Sequence, residues 1–333
     1  MAFNPDDLSR FDPFHVHTTT YKTIHSHSIT LNILIPRTLT PSPNGQPIIL
    51  RYHGGGLIAS ASMFPDFFAR WLLDLARQHN AIIISPDYRL LPEADVNDIL
   101  SDIDDSFAWL HTNLQPYLDS SANGIKADTS RIVTAGESAG GYLSLITSLN
   151  HPNEVRATIA SYPMVDLNAP WFAEHFEKHF FDVPQLPESV YTEHIAKIKA
   201  QEDLSSTSSE QAKKVVVSSD PRLDRAPLFF AMVQHGSFPR HLDNSNKKGL
   251  ILDRLEGGER FPRGGVFVLH GTEDSLVPVE QSRKLAEKVN EVDADANFNL
   301  VERPGDHGFD GETKLDEEWL QDGLKPIVDA WLA

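Results

Sequence analysis

RIVTAGESAGGYLSL, residues 131–145, places a serine between glycines where a strand-like run turns into a helix-like one. To the left, Arg131–Ala135 is short and β-branched, as a buried strand would be. To the right, Ala139–Leu149 is rich in Ala, Leu and Ile and reads as a helix. Gly136-Glu137-Ser138-Ala139-Gly140 fits G-x-S-x-G, a pattern that alone recurs by chance. Its flanks give it weight, because a sharp strand-to-helix turn exposes the hydroxyl and small neighbours let the helix approach the strand. The bland alternative is a serine in a glycine-rich loop.

Outward from this stretch, strand-like and helix-like segments alternate. "IILRYHGGG", "AIIISPDYRLLPE", "VRATIASYP", "GGVFVLHGTED" and "ANFNLVERPGDHGFD" each begin as a strand. Between them "PDFFARWLLDLARQHN", "DVNDILSDIDDSFAWLHTNL" and "SLVPVEQSRKLAEKVN" read as helices, and the chain ends helically. Such alternation implies a mostly parallel sheet covered on both faces, an α/β fold. The opening "FHVHTTTYKTIHSHSITLNILIP" reads as an antiparallel edge hairpin. Residues 169–249 break the pattern: aromatic at first ("PWFAEHFEKHFF"), polar in the middle ("QEDLSSTSSE"), without a convincing core strand. This segment is expected to be an inserted helical cap on a single domain spanning 1–333, with residues 1–13 as a further contributor. Phe172, Phe176 and Phe180 fall at helical spacing and are expected on one face of a cap helix.

The bulk properties bound the function. The 333 residues carry 47 acids against 29 Lys and Arg, a formal net charge of −18, which opposes nucleic-acid or anionic-membrane binding. The absence of cysteine rules out disulfides, thiol catalysis and thiolate metal sites. No stretch approaches a membrane span, and neither end reads as a targeting signal, so a cytoplasmic location is expected.

In a parallel sheet, functional groups gather at the carboxyl ends of the strands. Ser138 falls there. So does His53-Gly54-Gly55-Gly56 after "IILRY", whose glycines let backbone amides approach a ligand and stabilise an oxyanion, unless they merely make a turn. In "LHGTEDSLVP" two acids, Glu273 and Asp274, compete to orient a histidine, with a solvated surface acid as the alternative for either. His307 lies in the Gly-flanked loop "RPGDHGFD". The order serine, acid, histidine is that of the α/β-hydrolases and not of chymotrypsin or subtilisin. Two other features carry less. His15, His17, His25 and His27 would meet at a metal only if the hairpin registers them together; otherwise they decorate its outer face. Glu137 either tunes the serine or hydrogen-bonds the nearby loops, the second being favoured.

HGGG, DYRLLPE, GESAGG, an acid loop and an H-G-F loop occur in an order that resembles the α/β-hydrolase superfamily, in particular the hormone-sensitive-lipase-like carboxylesterases. The resemblance spans roughly Ile48 to Phe309 apart from the insertion. It implies an α/β-hydrolase fold with Ser138 as nucleophile, His307 as general base and acid, and Asp274 as the orienting acid. Gly55, Gly56 and Ala139 would supply oxyanion-hole amides, with His53 and Gly54 supporting the loop. The acid loop departs from the family's usual D-P-L-x-D-E segment and is closer to those of prolyl oligopeptidases and thioesterases, which is what aligns Asp274 with the acid. The expected activity is hydrolysis of a small or medium carboxylic ester or lactone through an acyl-serine, with no cofactor or metal. An acyltransferase using the same triad, or a non-catalytic binding protein on the same fold, are the alternatives. Trp171, Phe172, Phe176 and Phe230 are the expected pocket residues.

Overall fold

The computed structural model describes residues 3–122, 124–206, 215–242 and 247–333. Among them are strands β1 (Phe14–Ile24), β2 (His27–Pro36), β3 (Gln46–Tyr52), β4 (Ile82–Pro86), β5 (Ala127–Glu137), β6 (Val155–Ser161), β7 (Val266–Gly271) and β8 (Phe298–Arg303). They form one sheet in the order β1-β2-β4-β3-β5-β6-β7-β8. The β1/β2 and β2/β4 pairings are antiparallel; all the others are parallel. Central strands such as Ile48-Ile49-Leu50 and Ile82-Ile83-Ile84 are apolar on both faces because both faces are covered.

The covering helices are α1 (Arg70–Gln78), α2 (Val96–Thr112), α3 (Leu114–Ser121), α4 (Ala139–Asn150), α5 (Pro170–Ala173), α6 (Ser189–Ser206), α7 (Ala226–Gln234), α8 (Ile251–Glu256), α9 (Glu280–Val292) and α10 (Glu318–Leu332). Trp71, Leu72 and Leu75 of α1 and Leu320, Leu324, Ile327 and Trp331 of α10 bury one face of the sheet. The apolar sides of α2, α3, α4, α8 and α9 bury the other. The acidic start of α2 is a reciprocal cap: Asp95 accepts the Asp98 amide at 2.9 Å while Asp98 reaches back to the Asp95 amide. Among the described residues no helix is long and apolar enough to cross a membrane.

The hairpin turns through His25 and Ser26, both at positive φ (47° and 73°). Its register pairs His15 with Ile35 and His17 with Ile33, whereas His27 pairs with Ile24. The two histidine pairs therefore sit at opposite ends of the ribbon. Each has other neighbours: His15 Nδ1 lies 3.1 Å from Arg37 Nη1, and His27 Nε2 lies 2.8 Å from Ser218 Oγ.

Between β6 and β7 the chain forms α5 to α8. Residues 207–214 and 243–246 of the expected insertion lie outside the described residues, as do residues 1 and 2 of the N-terminal segment. The expected helix through Phe172, Phe176 and Phe180 is not formed: α5 ends at Ala173, and Glu174 is extended. The chain instead wraps around Lys178, whose buried Nζ donates to the carbonyls of Glu174 (2.6 Å), Val233 (2.8 Å) and Gln234 (3.4 Å). An ammonium at the end of α7 satisfies carbonyls that the helix leaves open. The N-terminal segment packs against the body, with Arg10 Nη1 donating to Phe68 O at 2.7 Å and Gly311 O at 3.2 Å.

The approach of α4 to the sheet depends on Gly140. A Cβ there would lie 2.0 Å from the Tyr52 carbonyl oxygen of β3, and backbone cannot give way. Gly140→Ala is expected to cost about 3 kcal/mol of stability, read as a lowered denaturant midpoint in chemical unfolding; an unchanged midpoint would contradict this packing.

Candidate active site

Ser138 joins the last residue of β5 to the first of α4 with φ 56° and ψ −119°, a backbone conformation that non-glycine residues rarely adopt. Its amide donates to Ser161 O at 2.9 Å, and its carbonyl accepts the amides of Tyr142 (3.1 Å) and Met164 (3.3 Å). The turn is thus held from β6 and from within α4. The Ala139 amide begins α4, where helix geometry leaves N–H groups free and the dipole favours negative charge.

Beside it runs the glycine loop that follows β3. His53 is fully buried and stacks on Tyr88, ring centroids 4.3 Å apart. Because a carbonyl only accepts, the 2.7 Å contact to Gly54 O makes His53 Nδ1 the protonated nitrogen. Burial pushes this imidazole down to about 3, so it is neutral. Gly55 and Gly56 both have positive φ, and a Cβ on Gly56 would meet the Phe229 ring of α7 at 2.3 Å. Among the described residues neither the Gly55 nor the Gly56 amide donates a backbone hydrogen bond. A Cβ on Gly54 would stand 3.4 Å from Ser138 Cβ, which sets the loop against the Ser138 turn.

Glu137 joins these two parts. Its Oε1 accepts the Gly54 amide at 2.8 Å and Arg51 Nη2 at 2.5 Å. The glutamate hydrogen-bonds the adjacent loop, the role favoured for it from sequence. Burial pushes its carboxyl up to about 7, with Arg51 and the Gly54 amide pulling the other way.

Asp274 and His307 come from the loops after β7 and β8. His307 Nδ1 lies 2.7 Å from Asp274 Oδ2, and Asp274 Oδ1 accepts the amides of Leu276 (2.9 Å) and Val277 (2.8 Å). Burial alone would raise the Asp274 carboxyl, but His307 and His270, both close against it, hold it well below the ordinary carboxylate range. Glu273 faces solvent and accepts the Gly305 amide instead. Of the two acids, Asp274 is the one in contact with His307.

Tyr162, the residue after β6, lies edge-on to the His307 imidazole at 4.6 Å, and Ser161 before it receives the Ser138 amide. Through this pair the carboxyl end of β6 spans from the serine turn to the histidine. Tyr162 was not singled out from sequence, and neither were Arg51 or His270. An isolated Arg in an apolar strand, as in "IILRY", is the kind of signal that could have drawn attention, since a buried cation needs a partner.

Of the expected pocket residues, Trp171 and Phe230 are half-buried, and Phe176 is 39% exposed. Phe172 is fully buried against Phe238 and belongs to the core that runs from the sheet into the insertion. An aromatic row runs from Phe229 on Gly56 through Phe230 and Phe180 to Trp171, whose Nε1 donates to Leu276 O at 2.9 Å. The row therefore links the glycine loop to the acid loop.

The alpha/beta hydrolase fold family matches residues 49–223, just over half of the chain, and the protein belongs to that family. It is 27% identical to the probable carboxylesterase M8 of Phoma sp., across 97% of this chain and 98% of that protein. It is also 26% identical to the non-reducing polyketide synthase Preu6 of Preussia isomera over 96% of this chain, which amounts to only 15% of that much longer protein. Among solved structures, esterase 2 of Thermogutta terrifontis, phosphoramylated by tabun, shares the fold with a TM-score of 0.57 at 18% identity, covering 97% of this chain and 94% of that one. A Staphylococcus aureus protein of unknown function gives 0.58 at 20%, covering 95% and 98%.

A carboxyl that titrates near 7 when folded and near 4.5 when unfolded holds more protons in the folded state between those values. Stability should therefore fall as pH rises through that window. Glu137→Gln keeps an acceptor for Gly54 and Arg51 but removes the titration, so the decline between about pH 4.5 and 7 is expected to flatten. Denaturant midpoints measured across that range check this; equal slopes in both proteins would contradict it.

Proposed function

We propose that the protein is a serine-dependent hydrolase of small or medium carboxylic esters or lactones. The observation that carries this reading is the buried, ionised Asp274 holding His307 through Nδ1, in a fold whose serine sits on a strained strand-to-helix turn. With Nδ1–H given to Asp274, the neutral imidazole keeps Nε2 as its base. His307 takes the Ser138 proton as the hydroxyl attacks the acyl carbon, and Asp274 stabilises the imidazolium that forms. The amides of Gly55, Gly56 and Ala139 receive the oxyanion. His307 then protonates the leaving alkoxide, and it later activates the water that releases the acyl group.

In this reading the described part of the 169–249 insertion acts as a cap, with the N-terminal segment 1–13 as a further contributor. The half-open rings of Trp171, Phe176 and Phe230 favour apolar acyl or alcohol groups, in a pocket of finite depth. The carboxylesterase relative that spans the whole chain supports ester chemistry.

A panel of p-nitrophenyl esters from acetate to palmitate, run beside lactones, should give a rate that peaks at short or medium chains and is abolished by Ser138→Ala. A fluorophosphonate should label Ser138 stoichiometrically. A rate that peaks at the longest chains and jumps above the micelle threshold would refute the finite pocket, and labelling elsewhere would refute the nucleophile.

The two neighbouring acids separate cleanly. Asp274→Asn should lower kcat by about three to four orders of magnitude, since it disturbs the tautomer of His307, whereas Glu273→Gln should leave it nearly unchanged. A reversed ranking would move the acid by one residue.

A further inference from the structure

The carboxylate of Asp274 faces a second histidine. His270, in β7, is fully buried, and its Nε2 lies 2.8 Å from Val277 O and 3.2 Å from Asp274 Oδ2, the oxygen that also meets His307. Its Nδ1 lies 2.6 Å from Ser282 Oγ on α9. The Val277 carbonyl can only accept, so Nε2 carries a proton. In the neutral ring, Nδ1 then accepts the Ser282 hydroxyl. The ring is thereby fixed from both sides, with one N–H directed between a loop carbonyl and the catalytic acid.

We infer that His270 is a positioning residue for the Asp274–His307 pair. It acts in two ways. By holding Val277 O, it fixes the short loop whose Leu276 and Val277 amides grip Asp274 Oδ1. By presenting a second donor to Oδ2, it limits the rotation by which the carboxylate would leave His307. All four donors on Asp274 then agree on one orientation, and α9 is drawn into the site through Ser282. A carboxylate displaced by even a fraction of an ångström no longer holds the imidazole in line with the serine, and such displacements are costly in rate.

This inference rests on the serine-hydrolase reading for its kinetic consequence but not for its geometry, and the experiment separates the two. Gln places an amide N–H where His270 has Nε2–H, whereas Asn places one where it has Nδ1. His270→Asn should lower kcat by about tenfold or more with KM unchanged, and His270→Gln should recover most of that loss. Should His270→Asn fail to fold, Ser282→Ala removes only the Nδ1 partner and should lower kcat severalfold, again at constant KM.

NMR of the histidine-labelled protein supplies a readout that needs no turnover. His270 should appear as the Nε2–H tautomer, and the deshielded proton of the His307–Asp274 bond should be sharp in the wild type and in His270→Gln but lost or broadened in His270→Asn. Equal kcat losses in the Asn and Gln variants, a change confined to KM, or an undisturbed His307–Asp274 proton in His270→Asn would overturn the inference. If the wild type shows no turnover that depends on Ser138, the hydrolase reading fails instead, while the NMR comparison still decides the role of His270.

Discussion

A single buried contact, Arg51 to Glu137, sits beneath the serine turn and the glycine loop. β3 and β5 are parallel neighbours with Arg51 opposite Ala135 and Tyr52 opposite Gly136, so Arg51 and Glu137 end up side by side under the serine turn. The guanidinium also donates to Ser62 O and Ser85 Oγ through Nη1 and to Phe67 O through Nη2, and it lies 4.0 Å over the Phe68 ring. Glu137 passes the constraint on to Gly54. One pair thus ties together the ends of three strands, the glycine loop and the residue preceding Ser138. Removing the Glu137 side chain would leave the Arg51 guanidinium charged and buried without its carboxyl partner, a loss of about 3–5 kcal/mol.

A second polar hub seats the insert on this frame. Arg225, at the start of α7, donates to Ile58 O (2.7 Å), to Leu91 O (2.7 Å) and to Glu93 (2.5 Å). His194 of α6 meets the same glutamate at 2.9 Å, and its hydrogen bond together with the Arg225 guanidinium outweighs burial and draws the Glu93 carboxyl down to about 2. Asp220 accepts the amides of Asp224 and Arg225, while its own amide donates to Ser60 O at 2.7 Å. These bonds fix α7 relative to the glycine loop, which is why Phe229 can rest directly on Gly56. The aromatic row that starts at Phe229 and the glycine loop are therefore set by the same contacts.

Much of this was legible in the chain. The alternation of buried β-branched runs with amphipathic segments has one economical solution, and the sheet follows it from β3 to β8. The serine, acid and histidine loops were readable because each follows such a run. What sequence reading missed was long-range pairing. The 172/176/180 spacing suggested a helix, but local periodicity could not register Lys178, which gathers carbonyls from α7 more than fifty positions away. Arg51, Tyr162 and His270 sit inside strands or just past their ends, where the surrounding apolar pattern hides them. Their partners become neighbours only when the strands align, so no spacing rule in one segment announces them.

The account stands on one convergence: the serine turn, the glycine loop and the oriented histidine must meet at a single reacting centre. A crystal structure of the protein inactivated by a small fluorophosphonate tests this most directly. The account predicts phosphorus bonded to Ser138 Oγ and a phosphoryl oxygen within about 3 Å of the Gly55, Gly56 and Ala139 amides, with His307 still held by Asp274. An adduct on another residue, or a phosphoryl oxygen turned away from those amides, would contradict it.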